Sequence, residues 1–431
     1  MTVGQLYQLF QSHPLVTTDS RRVLPGAMFF ALKGENFDGN RFAVSALSAG
    51  AACAVVDDPA VVADERFILT GDVLKTLQDL AAYHRRNLNL PIVAITGTNG
   101  KTTTKELIAA ILAKKYRVGY TRENLNNHIG VPLTLLSMTP ETEIGIVEMG
   151  ANHPGEIDFL CRIANPDFGL ITNVGKAHLE GFGSFEGVLK TKSELYRYLE
   201  EKGGTIFING ENPILRAAAG EGLEKVWYGK GEDGLVCGEA TGSLPFLGVK
   251  ARIGHAGMTV ETRLAVGYNL ENVLAAMAVG SYFQVSPEEI KSAVEGYIPS
   301  NNRSQWISTG SNEIIMDAYN ANPGSMTASI RNFLEIPHLR KLFILGDMLE
   351  LGAASKEEHQ RIVNLLAENV KEGVWLTGTS FDATSRPPGF LSFPETTSLA
   401  DYIRANPPSE SLILIKGSRG MQLEKLVSLL S

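Results

Sequence analysis

The sequence predicts an α/β protein of three domains, and three observations carry that reading. Short apolar runs of strand type alternate with segments of helical spacing, the pattern of mostly parallel, doubly wound sheets. A glycine-rich string carrying a lysine and threonines, Thr96-Gly-Thr-Asn-Gly-Lys-Thr-Thr103, lies between one such strand and a helix. The chain has 431 residues, which at roughly 100–200 residues per domain suggests about two to four domains.

Residues 1–84 form a small mixed α/β unit. Ala27–Leu32 and Ala52–Val56 are buried-strand candidates, and Gly34, Asp38 and Gly39 punctuate the loop between them. Helical spacing follows at Phe42, Ala46 and Leu47, and at Leu74, Leu77, Leu80 and Ala81. Residues 85–300 open with the strand Ile92–Ile95 and continue into a helix with Leu107, Ile108, Ile111 and Leu112 on one face. Further strands are expected at 117–120, 144–148, 169–172 and 205–208, then short strands and turns over 229–268. A helix bearing Lys190 and Lys192 is expected to run on through Leu195 and Tyr198. Residues 301–431 repeat the alternation, with strands at 313–317, 341–345, 374–377 and 412–415 and helices at 325–334, 356–369, 397–404 and 421–430. That length suffices for a further α/β domain of Rossmann-like type with its own core.

Composition narrows the function classes. Lys plus Arg number 39 against 47 Asp plus Glu, a formal net charge of −8, which argues against general nucleic-acid or anionic-membrane binding. Three scattered cysteines, Cys53, Cys161 and Cys237, exclude a disulfide scaffold and a zinc-finger spacing and fit a reducing compartment. The N-terminus lacks a basic segment followed by an apolar one, and no run of about 18 apolar residues occurs. A cytoplasmic protein without membrane insertion is expected.

The phosphate-loop candidate is Gly97, Thr98, Asn99, Gly100, Lys101, Thr102 and Thr103. Its glycines let backbone N–H groups converge on phosphate oxygens. Lys101 supplies a cation and Thr102 a hydroxyl for Mg2+. Such a loop serves kinases, switches, motors and ligases alike. Glu148 ends a buried strand, where an α/β sheet presents carboxylates to its ligand crevice. His178 follows the next strand and reads equally as a ligand or as a structural histidine. Lys190 and Lys192, by position alone, are solvated helix lysines. Asn124–Pro132, with three asparagines and a histidine, is a polar loop suited to lining a substrate path.

These strings together resemble the Mur ligases of peptidoglycan synthesis. Gly97–Thr103, Asn124–Pro132, Glu148-Met-Gly-Ala151, Asn173-Val-Gly-Lys-Ala-His178 and Lys192-Ser-Glu-Leu195 are similar to the family's central domain. Thr18-Asp-Ser-Arg21 and Phe29–Gly39 resemble its uridine-binding N-terminal domain. Asp317-Ala-Tyr-Asn-Ala-Asn-Pro323, Leu345-Gly-Asp-Met-Leu-Glu-Leu-Gly352 and Lys416-Gly-Ser-Arg-Gly420 resemble its C-terminal domain, and most closely the branch that adds a dipeptide.

The resemblance implies an ATP-dependent ligase that joins D-alanyl-D-alanine to UDP-N-acetylmuramoyl-tripeptide through an acyl phosphate. A monomer would suffice. It implies a UDP-sugar-binding domain over 1–84, an ATP-binding domain over 85–300 and a C-terminal ligase domain over 301–431. It implies ATP and two Mg2+ ions, with Thr102 and Glu148 on one ion, His178 helping to hold a second, and Lys192 as a carbamylated lysine, with Lys190 the competing assignment. Lys101, Glu148, His178 and Lys192 would be catalytic. Asn272, Arg303 and Asp317 would complete the nucleotide site. Ser20, Arg21 and Lys33 would lie in the uridine-diphosphate region, and Asn126, Asn127, Tyr319, Asn320 and Asn322 would touch substrate. Tyr268, Asn40 and Met316 depart from the family's usual His, His and acid at those places. The alternatives are the sister ligase that adds the third amino acid, and a nucleotide switch without ligation.

Overall fold

The computed structural model describes residues 1–231, 233–242, 245–265 and 267–431. Glu232, Ser243, Leu244 and Val266, within the stretch expected to form short strands and turns, lie outside the described residues. Three main sheets organise the chain. The N-terminal sheet is wholly parallel, in the order Val16–Thr17, Met28–Phe30, Cys53–Val56, Phe67–Leu69, with a small hairpin of Lys33–Gly34 and Phe37–Asp38 beside it. Every residue of Met28–Phe30 and Cys53–Val56 is buried, which explains their uninterrupted apolar runs.

The central sheet has nine strands. From Val118–Tyr120 the order runs through Ile144–Glu148, Ile92–Thr96, Phe168–Ile171, Thr205–Asn209, Glu224–Gly229, Val236–Thr241 and Phe246–Ile253 to Ala256–Ala265. Pairing is parallel up to Val236–Thr241 and antiparallel in the last two strands. Alternate residues of one strand feed opposite faces: Ile92 and Ala94 join one core, Val93 and Ile95 the other. Helices Val73–Asn87, Glu156–Ala164 and Glu194–Lys202 cover the first face. Lys101–Leu112, Leu270–Tyr282 and Pro287–Gly296 cover the second. The sheet is therefore doubly wound, and the strand order reverses around Ile92–Thr96. Ligand crevices form at the carboxyl ends of strands at such a reversal.

The C-terminal sheet has six strands in the order Gln305–Ser308, Glu313–Asp317, Leu412–Lys416, Lys341–Gly346, Val374–Thr377, Phe390–Phe393. Only its first pair is antiparallel. No helix among the described residues is long and apolar enough to cross a membrane.

Two expectations need correction. The helix expected over 421–430 is instead two tight three-residue-per-turn segments, Arg419–Met421 and Leu423–Leu429, because Gln422 takes a left-handed conformation (φ 52°) that breaks the run. The helix expected through Lys192 and Tyr198 is two, Phe185–Lys192 and Glu194–Lys202, joined at Ser193. The junction lets Glu194 turn inward, where its carboxylate accepts hydrogen bonds from Gly155 N (2.8 Å) and Asp158 N (3.0 Å) at the start of a neighbouring helix. Helix Val73–Asn87 runs on across residue 84, where the first unit is expected to end.

That helix welds two units. Leu77, Leu80 and Ala81 share one apolar core with Leu6, Phe10 and Phe30 on one side and Ile92, Val131 and Leu160 on the other. Arg85, buried, donates to the carbonyls of Ala164 (3.0 Å), Leu88 (3.1 Å) and Asn165 (3.0 Å) and pairs with Asp167 at 2.9 Å. Arg85→Met leaves three carbonyls without their donor, so it should cost about 3 kcal/mol. Urea denaturation of the two proteins, compared at equal slope, measures it.

Candidate active site

The string Thr96–Thr103 forms the turn between strand Ile92–Thr96 and helix Lys101–Leu112. Two glycines make it possible. Gly97 has φ 140° and lies against Thr172, where a Cβ would come within 2.0 Å of the hydroxyl. Gly100 has φ 80° and packs on Asn272, with a Cβ position 2.4 Å from its Oδ1. No side chain caps the helix that follows. Its first N–H groups and its positive dipole end face the crevice, as an anion site requires. The neighbouring strand-end pins the loop: Asn173 accepts from Thr98 N at its carbonyl (2.9 Å) and from Asn99 N at its side chain (3.0 Å).

Lys101 folds back on its own loop, donating to Gly97 O (2.8 Å) and Thr98 O (3.1 Å). Burial holds its ammonium down to about 8, with nearby Glu148 opposing the shift. Thr102 donates to Glu148 Oε2 at 2.9 Å. Glu148 is 1% exposed and also accepts from Asn126 Nδ2 at 2.8 Å. This threonine–carboxylate pair is an all-oxygen donor set of the kind Mg2+ takes.

These groups border a cavity of about 450 Å3. Of the residues expected from sequence, Thr98–Thr103, Asn126, Asn127, Glu148, His178, Asn272, Arg303, Asp317, Tyr319, Asn320 and Asn322 all line it. The C-terminal unit thus sits directly over the phosphate loop. Asn322 Nδ2 donates to Asn99 Oδ1 at 2.7 Å, and the Arg303 guanidinium stacks 3.6 Å from the centre of the Tyr319 ring.

Other expected residues are placed elsewhere. Ser20, Arg21 and Lys33 do not border this cavity. Arg21 pairs with Asp19 (2.9 Å), and Lys33 with Asp57 (2.8 Å), on the N-terminal unit. Asn40 is buried and bridges Asp38 and Asp57, so it serves as a structural tie there. Lys192 lies just behind the cavity lining, 2% exposed, with Nζ 3.3 Å from Ala151 O. Burial, then the charge of Lys101, push its ammonium down to about 7. Lys190 is exposed. His178 reaches the cavity, but its Nδ1 sits 2.5 Å from Glu350 of the C-terminal unit. Among the described residues no cluster of three or more His, Cys, Asp or Glu forms a ready metal cage.

Sequence reasoning missed Lys105 and Ser304, and it gave Tyr268 and Lys416 no role. Lys105 is fully buried, without a hydrogen-bond partner, 3.7 Å from Glu148 Oε2. Its signal was the spacing from Lys101, one helical turn. Lys416 opens a quoted string but was not assigned a place; it is buried and paired with Asp317 at 2.6 Å.

Fold and site together define a phosphate-loop nucleotide enzyme whose C-terminal α/β unit closes over the phosphate site. Three family profiles match: the Mur ligase family catalytic domain over residues 14–98, the Mur ligase middle domain over 95–280, and the Mur ligase glutamate ligase domain over 302–419. The chain is 36% identical over 424 residues to the UDP-N-acetylmuramoyl-tripeptide–D-alanyl-D-alanine ligase of Bacillus subtilis, covering 96% of this chain and 92% of that one. Its structure resembles the crystal structure of MurF from Acinetobacter baumannii (TM-score 0.87, 30% identity, 100% and 98% coverage). It also resembles MurF ligase from Thermotoga maritima in complex with ADP (TM-score 0.84, 28% identity, 96% of both chains). The chain belongs to the Mur ligase family.

Two outcomes follow. Gly100→Ala places a Cβ against Asn272 at a left-handed φ, so ATP affinity should fall about tenfold or more by isothermal titration calorimetry. Lys192 binds its proton more weakly folded than unfolded, so between about pH 7 and its ordinary 10.5 the unfolded chain holds the extra proton and stability gains as pH rises. Lys192→Met removes that burden. Its melting temperature should exceed the parent's most near pH 7, and the gap should narrow toward about pH 10.

Proposed function

We propose that this chain is an ATP-dependent ligase that forms the amide bond between UDP-N-acetylmuramoyl-tripeptide and D-alanyl-D-alanine. The observation that carries the reading is convergence. The phosphate loop, the Glu148 carboxylate and the C-terminal Arg303, Tyr319, Asn320 and Asn322 border one cavity, so a phosphoryl donor and a polar acceptor can share a space. Tyr319, Asn320 and Asn322 of the string Tyr319-Asn-Ala-Asn-Pro323 line that cavity, which supports a dipeptide acceptor over a single third amino acid.

The terminal carboxylate of the tripeptide attacks the γ-phosphorus of ATP, and the bond from that phosphorus to ADP breaks. The dipeptide amine then attacks the acyl carbon of the resulting acyl phosphate, loses a proton, and expels phosphate. Two anions must meet in the first step. Lys101 and the open N–H groups of its helix offset their repulsion. The C-terminal unit, seated over the loop by the Asn322–Asn99 hydrogen bond, keeps water from the acyl phosphate.

Thr102 and Glu148 would hold Mg2+, which when bound screens the phosphate charge. A second ion, held with His178 and a carbamylated Lys192, is the finer part of the reading. Its support is that Lys192 is buried behind the cavity and favours the neutral amine that takes up carbon dioxide, whereas Lys190 is solvated. The division into a UDP-sugar-binding unit (1–84), an ATP-binding unit (85–300) and a ligase unit (301–431), and a cytoplasmic monomer, belong to the same proposal.

Phosphate release from Mg-ATP tests it. Release should be strong only when both substrates are supplied, and free amino acids in place of D-alanyl-D-alanine should give almost none. Lys192→Ala should lose at least about 100-fold in kcat, with partial recovery on adding short carboxylic acids. Release with a single amino acid but not with the dipeptide would move the chain to a sister activity.

A further inference from the structure

Backbone strain and a buried hydrogen-bond network coincide where the central and C-terminal units join. Asn301, Asn302 and Ser304 all have left-handed backbones, with φ of 59°, 57° and 49°. Asparagine tolerates that region, but serine gains little there, so Ser304 must be held from outside. It is 4% exposed and has three partners. Its N–H donates to Asp317 Oδ1 (3.2 Å), and its Oγ accepts from Asn269 Nδ2 (3.4 Å). Its hydroxyl also lies 2.8 Å from that of Tyr268, which in turn donates to Asp317 Oδ2 at 3.0 Å. Tyr268 and Asn269 belong to the central unit, on the short turn Gly267–Asn269. Asp317, Ser329 and Lys416 belong to the C-terminal unit, and Ser329 Oγ and Lys416 Nζ complete the carboxylate's partners at 2.9 and 2.6 Å.

The network continues to the phosphate loop. Asn269 Oδ1 accepts from Asn272 Nδ2 (2.9 Å), and Asn272 Oδ1 accepts from Thr104 Oγ1 (3.1 Å) on the loop's own helix. Asn272 is also the side chain against which Gly100 packs.

We propose that Tyr268 is a positioning residue: its hydroxyl latches the strained linker Asn301–Ser304 and so keeps the C-terminal unit seated on the phosphate loop. The phenol is the group that ties linker serine and C-terminal carboxylate to the central unit at once. Backbone strain of this kind costs about what a few hydrogen bonds return, so removing two of them lets the linker relax. The unit's seat then loosens, as hinge positions allow. The latch itself is read from geometry alone; its consequence for catalysis rests on the ligase reading above.

The test uses the full unliganded chain with spin labels at Glu201→Cys and Glu357→Cys, both exposed sites, the three native cysteines being buried. The parent should give one narrow distance distribution. Tyr268→Phe, which keeps the ring, should widen it about twofold or add a longer distance. Ser418→Ala, which removes a buried hydroxyl that accepts from Leu349 N wholly within the C-terminal unit, should leave it unchanged. An unchanged distribution in Tyr268→Phe, or equal widening in both variants, overturns the latch. In the ligation assay Tyr268→Phe should release about twice as much phosphate per amide bond as the parent, because a loosened unit admits water to the acyl phosphate. Absence of any ligation in the parent would overturn the ligase reading while leaving the distance result standing.

Discussion

A buried carboxylate organises this molecule. Glu148 lies at the end of a central strand, and water is almost wholly excluded from it. A charge so placed persists only when its surroundings replace the lost hydration. Here Thr102 brings the phosphate loop to it, Asn126 brings the polar loop after strand Val118–Tyr120, and Lys105 sets a cation across from it. Thr121 fixes the backbone by accepting from Glu148 N at 3.0 Å. Two segments, the phosphate-loop helix and the stretch Thr121–Asn126, are thus drawn to one point by the need to satisfy one side chain. The cavity is the space left beside that point.

The electrostatics of the cavity follow from the same burial. Lys101, Lys105 and Lys192 all have their ammonium forms disfavoured by desolvation, and the charges of Glu148 and Glu156 or Glu194 only partly restore them. That leaves the phosphate side of the cavity, with Lys101 and open helix N–H groups at its border and Lys105 and Lys192 buried behind it, short of counter-charge. Anionic phosphate and carboxylate groups supply what it lacks. Lys101 meanwhile spends its donors on the loop carbonyls, so the loop keeps its shape when no phosphate is present.

Much of this was legible in the sequence, for physical reasons that differ by element. Strands such as Ile144–Glu148 and Leu412–Lys416 are buried on both faces, and their apolar runs are hard to misread. The phosphate loop was legible because glycines, lysine and threonine are each required at their own position. The break at Ser193 was not, since both halves keep helical spacing and only the inward demand on Glu194 separates them. The end of the chain misled because Leu423, Leu426 and Leu430 are spaced for a helix, while Gln422 adopts a conformation that ends one. Tyr268 looked only like a departure from the family's usual histidine. Its hydroxyl in fact turns toward Asp317, a contact between residues 49 positions apart that no local pattern encodes.

The continuous core beneath helix Val73–Asn87 has a mechanical meaning. Residues between Leu6 and Leu223 pack into one apolar cluster, so the N-terminal and central units share an interior that resists sliding of one against the other. The C-terminal unit has its own interior and meets them largely through polar contacts. Anything gripped by the N-terminal unit is therefore held at a set distance from the phosphate loop. The first two units act as a fixed gauge for the length of a bound molecule, and the adjustable jaw is the third.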